Sequence, residues 1–142
     1  MDFYNILKQF HSGWAYLVIA AALFLFLCLS YFIINKRQST PNLLKVSFLV
    51  TTIFHVQLLI GVVLYFLSPY AKWTENTMQD DISRLYAVEH PLMMFTAVVF
   101  VTVVNSRLKK HPNVKFTNLI LVALAIACVL AMIPWHAWPI AG

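Results

Sequence analysis

Four apolar runs, at about 14–34, 46–67, 85–104 and 116–133, alternate with short polar connections, and this pattern constrains the fold more than any other feature. A helix needs about 20 mostly apolar residues to cross a bilayer. Only helices satisfy the backbone over apolar runs of that length, because barrel strands are about half as long and alternate. The pattern predicts an all-α integral membrane four-helix bundle with up-down topology, forming a single transmembrane domain over residues 1–142. A polar run-up from Phe3 is placed to continue the first helix outward. Composition agrees: 61% of residues are apolar and 11% charged, where soluble domains carry roughly a quarter charged. The lipid bilayer is therefore the expected surroundings.

Charge sets the expected orientation, since Lys and Arg collect in the connections that stay inside. Lys36, Arg37 and Lys45 flank the first connection, and Arg107, Lys109, Lys110 and Lys115 flank the third. Lys8, Lys72 and Arg84 fall at the other end, with all five acids: Asp2, Glu75, Asp80, Asp81 and Glu89. Both termini and the long second connection are expected outside (N-out, C-out), with Trp14, Tyr70, Trp73, Trp135 and Trp138 forming an outer aromatic belt. The inner half reads as nearly pure hydrocarbon between basic turns.

Several function classes find no support. The net charge of +5 comes from clusters at helix ends rather than a basic stripe, so no nucleic-acid partner is expected. Cys28 and Cys128 lie within apolar runs and read as buried thiols, and the absence of CxxCH excludes covalent haem attachment. No hydrolase, P-loop or dinucleotide fingerprint occurs, and no catalytic residue is assigned. Four helices without a matched pair of Gly/Pro-broken segments disfavour a solute transporter.

The histidines carry the chemical interest, because ionisable residues at membrane depth are costly and often functional. His11 borders the first span, His55 lies near the middle of the second, His90 lies a little into the third, and His136 comes after the fourth. Two imidazoles at similar depth on facing helices are what a b-type haem in a bundle requires. His11 and His90 meet that condition across the diagonal of the bundle. His55 is the alternative partner, about 10 Å deeper than His90 at 1.5 Å per residue.

Structural readings stand beside these. His55 reads equally as a histidine hydrogen-bonded one turn back, near Thr51. His90, between Glu89 and Pro91, reads as part of a helix start. Glu89 reads as a cap at the positive end of a helix, as a partner of Arg84, or as a proton relay to a quinol. Met93 and Met94 read as packing before axial ligands. His111 reads as a solvated turn residue and His136 as interfacial. Zinc is a weaker reading, since four ligands at recognisable spacing are lacking.

The chain also resembles a family of small four-helix bacterial membrane proteins, mainly from Bacteroidota, labelled "cytochrome B". The resemblance rests on His11-Ser12-Gly13, on His55-Val56-Gln57-Leu58-Leu59-Ile60-Gly61, on Leu64-Tyr65-Phe66-Leu67-Ser68-Pro69, on Glu89-His90 with Leu92-Met93-Met94, and on Ile133-Pro134-Trp135. Pro91 stands where the pattern has a small polar residue, and His136 lies outside it. The resemblance implies haem b and the bacterial inner membrane.

Two function classes remain open from sequence. One is a haem-binding, electron-transferring membrane protein, with quinone as a redox partner and two of His11, His90 and His55 on the iron. The other is a cofactor-free accessory subunit packed in a larger membrane complex.

Overall fold

The computed structural model describes residues 2–138, and these are all-helical with short connections. Helix α1 spans Phe3–Ile34 and helix α2 spans Pro41–Leu67. Helix α3 runs over Asp81–Lys110 and helix α4 over Phe116–Ala131. Each helix packs on its neighbours in the chain, α1 and α4 close the ring, and the diagonal pairs are not packed along their length. This is an up-down bundle. Three helices, α1 to α3, are long and apolar enough to cross a membrane. Helix α4 is equally apolar, but its 16 residues make only about 24 Å.

Helices α1 to α3 begin earlier than their apolar runs because polar residues cap them. Asp2 accepts from the Asn5 amide at 2.8 Å, so α1 takes in the polar run-up. Thr40 accepts from the Leu43 amide at 3.2 Å and Pro41 occupies the first turn, where a missing N–H costs nothing. Asp80 caps α3 through the Ser83 amide at 2.8 Å, and hydrogen bonding from the Ser83 side chain, then from its amide, holds the carboxyl below the usual carboxylate range.

Helix α1 ends in a Schellman motif built without glycine. The Arg37 amide donates to the Phe32 carbonyl and the Lys36 amide to the Ile33 carbonyl, with Lys36 in the left-handed region at φ 50°. The two basic connections then meet: Gln38 bridges to Asn113, and the Ser39 amide donates to the Pro112 carbonyl at 2.6 Å.

Helix α3 departs most from expectation. It starts at Asp81, passes through a π-helical turn at Leu85–Glu89 and continues as α-helix from His90. Pro91 is therefore inside a continuous helix, and His90 is not at a helix start. Pro91 has no N–H for the Ala87 carbonyl four residues back. The Tyr65 hydroxyl donates to that carbonyl at 3.1 Å, and Trp73 Nε1 donates to the Tyr65 oxygen at 2.9 Å.

The core lies toward the basic end. Leu25, Leu29, Val101, Val104, Val122 and Ala125 are fully buried there. That half is not pure hydrocarbon, as Ser47, Thr51, Asn105 and Asn118 are buried with them. Thr51 Oγ1 donates to the Ser47 carbonyl at 2.8 Å, a helical back-bond that spares the hydroxyl an apolar surrounding. Large apolar side chains such as Phe24, Phe48, Leu59, Phe95 and Phe116 point out of the bundle. Exposed apolar surface on every helix is unlike a soluble monomer. Cys28 and Cys128 are free thiols.

Candidate functional site

The end of the bundle that carries the acids also carries the histidine pair. His11 and His90 come from the diagonal helices α1 and α3, and their ring centroids are 6.2 Å apart with planes at 74°. The π turn ends at the residue before His90. One residue inserted into a helix rotates the remainder of that helix by about 100°, so this turn helps set which face of α3 presents the imidazole.

Each ring has distinct surroundings. His90 Nδ1 lies 2.8 Å from the Met132 carbonyl oxygen, just past α4. A carbonyl only accepts, so Nδ1 carries the proton and Nε2 keeps a lone pair in the neutral ring. A backbone carbonyl on the second ring nitrogen is the usual way a ligating imidazole is oriented. The His11 ring lies over Gly61, where a Cβ would stand 3.3 Å from Cε1. His11 Nδ1 is buried and has no hydrogen-bond partner among the described residues. Helix α2 holds α1 beside it through two long-range bonds: Gln57 Nε2 donates to the His11 carbonyl at 2.9 Å, and Trp14 Nε1 donates to the Ile53 carbonyl at 3.1 Å.

The other candidates are placed elsewhere. His55 is exposed on the outer face of α2, and its Nδ1 donates to the Thr51 carbonyl at 2.8 Å, the one-turn bond weighed from sequence. The structure does not bring it to the His11–His90 pair. His136 is exposed beside Tyr86, with Nε2 3.5 Å from that hydroxyl. His111 is exposed in the basic turn. Glu89 makes no capping bond. It accepts from Arg84 Nε at 2.9 Å, while Arg84 also binds Asp81 at 2.7 Å. Of its two structural readings, the cap is absent and the pairing with Arg84 is present.

The expected aromatic belt is divided. Tyr70, Trp73 and Trp135 are exposed, whereas Trp138 is buried, stacks on Tyr16 at 4.6 Å and donates to the Ser12 carbonyl at 3.4 Å. Trp138 thereby ties the segment after α4 to α1 next to His11.

Two imidazoles alone make a poor site for a bare ion, and among the described residues no group of three or more His, Cys, Asp or Glu could hold one. Haem differs, since it brings its own four equatorial nitrogens and takes only axial ligands from the protein. With metal–nitrogen bonds of about 2.0–2.1 Å, two axial rings stand roughly 6 Å apart between centroids, which the pair's separation fits. The oriented His90 ring and the buried, unpartnered His11 nitrogen are the two groups such axial ligation would use, and Gly61 is what lets the His11 ring lie against α2.

Gln57 and Gly61 entered the sequence reading only within the His55–Gly61 motif, with no role assigned, and the Met132 carbonyl did not enter it. The signal for the first two was present: a lone amide and a glycine four residues apart share one face of an apolar helix. The Met132 carbonyl left no trace, because any residue supplies one. Comparison with protein-family models, curated proteins and solved structures finds no match to this chain.

Proposed function

We propose that this chain is a membrane-embedded b-type cytochrome that holds haem between His11 and His90 and transfers electrons, with quinone as the exchanging partner. The carrying observation is the approach of two imidazoles from diagonal helices to 6.2 Å, one of them oriented by a backbone carbonyl. The resemblance on His11, His55–Gly61 and Glu89-His90 supports the same reading. Haem would supply one-electron iron chemistry. The chain's own residues bind and orient: Met132 holds the His90 tautomer, Gln57 and Trp14 hold α1 against α2, and Gly61 leaves room beside His11. His55 takes no part in this arrangement.

The basic connections mark the cytoplasmic side under the positive-inside rule. The multi-pass chain thus sits in the bacterial inner membrane with both ends and the histidine pair toward the outside. Glu89, next to His90, and its partner Arg84 are charged groups close to a quinol arriving there.

A reduced-minus-oxidised absorption spectrum of protein purified in a mild detergent tests the cofactor. The expected result is a b-type α-band that His90→Ala and His11→Ala each abolish and His55→Ala leaves intact. A pigment-free protein, even after reconstitution with hemin, would count against haem and favour an accessory subunit.

A further inference from the structure

At the opposite end, the third connection and the start of α4 enclose a pocket of about 390 Å³. Arg107, His111, Asn113, Lys115, Thr117 and Asn118 line it. Three features converge there. Arg107 and Lys115 bring positive charge, and none of the five acids lies at this end of the bundle. Helix α4 begins in the pocket wall; the Asn118 amide donates to the Lys115 carbonyl at 3.0 Å, and Lys115 offers no side-chain acceptor to the Phe116 and Thr117 amides. Such amides and the helix dipole favour an anion. The third feature is independent: Asn118 is 2% exposed, yet its Oδ1 has no donor among the described residues. A buried amide oxygen without a donor is uncommon and costly.

We propose that this pocket binds a phosphate group. The phosphate oxygens take Arg107, Lys115 and the Phe116 and Thr117 amides at the start of α4, over the buried Asn118 side chain. Arg107 Nη1 donates to Thr117 Oγ1 at 3.4 Å, and both residues line the pocket. Both an anionic glycerol-phosphate lipid headgroup and free inorganic phosphate offer this chemistry. Basic pockets between helices on the cytoplasmic side are suited to anionic headgroups. The proposal is independent of the haem reading, since the pocket and the histidine pair sit at opposite ends of the bundle.

Full-length protein in a neutral detergent would be titrated separately with phosphatidylglycerol, phosphatidylcholine and inorganic phosphate. Native mass spectrometry counts bound lipid, and the thermal unfolding midpoint reports stabilisation. We expect one phosphatidylglycerol per chain, held at a concentration at least tenfold lower than phosphatidylcholine. R107Q/K115Q should weaken it about tenfold, and T117F, which fills the pocket, should do the same. K36Q, at the same end but outside the pocket, should change it less than twofold. Stabilisation by inorganic phosphate without lipid preference, abolished by the same variants, would identify the free anion as the ligand of the site. Equal retention of both lipids with no phosphate effect, or phosphatidylglycerol retention unchanged in both pocket variants, would overturn the proposal.

Discussion

At the scale of single residues, the histidine pair depends on what surrounds each ring. His90 is oriented by a carbonyl, and His11 is confined by the absence of a side chain at Gly61. A Cβ at 61 would meet His11 Cε1 at 3.3 Å, tight enough that the ring must move by a few tenths of an ångström. Gly61→Val should therefore displace the His11 ring, visible as a shift of its Cε1 proton in NMR spectra, and weaken any axial bond made by His11. An unshifted resonance would show that the ring has slack the packing does not suggest. Lys36 offers the opposite case. Its left-handed backbone, at φ 50°, costs a residue with a Cβ roughly 1 kcal/mol that glycine does not incur. Lys36→Gly should stabilise the α1 terminus by up to about 1 kcal/mol, read as a higher unfolding midpoint in detergent. Of these details, only the identity and depth of His11 and His90 were legible in sequence. Their partners are a carbonyl and an empty space, which no residue type announces.

At the scale of elements, α3 carries the main lesson. Its apolar run marked a helix from about residue 85, and Glu89-His90-Pro91 read as a start. The start is at Asp81 because Asp80 caps it, and Pro91 is accommodated inside by a π turn and by Tyr65. Tyr65→Phe should leave the Ala87 carbonyl without that donor and cost about 1–3 kcal/mol. In a Pro91→Ala background, where residue 91 regains an amide, the cost should shrink. Additive effects in that double-mutant cycle would show that Tyr65 does not compensate for the proline. The Asp80 cap has a pH dependence of definite sign. Its carboxyl titrates below the usual range because it accepts from Ser83. Its contribution is therefore present above the ordinary carboxylate pKa and fades as pH falls through the lower folded value. Amide exchange at Ser83, corrected for its intrinsic rate, should lose protection on acidification, and Asp80→Ala should show the lost protection at neutral pH.

At the scale of the whole molecule, the two ends of the bundle are chemically different. The basic end holds the tightest core, two connections pinned together and the phosphate pocket. The acidic end holds the histidine pair, the Arg84–Glu89 contact and the segment closed by Trp138. In the proposed orientation these ends face opposite sides of the membrane. Single cysteines placed at Asn76 and Asn113 should separate them in intact cells. A membrane-impermeant maleimide should label position 76, and it should reach 113 only after lysis. Labelling at both sites without lysis would refute the four-span topology, and the reverse pattern would invert it.

The four apolar runs, read as four spans, and the placement of Lys and Arg were enough for an all-helical bundle with one basic end, in which three helices are long and apolar enough to cross a membrane. That much is legible because it depends on hydropathy summed over about 20 residues, which neighbouring helices do not alter. The approach of His11 to His90, the outward turn of His55, the internal Pro91 and the burial of Asn118 were settled only by packing. Each depends on the rotation of one helix against another. A single π turn shifts that rotation by about 100° while leaving the apolar pattern unchanged.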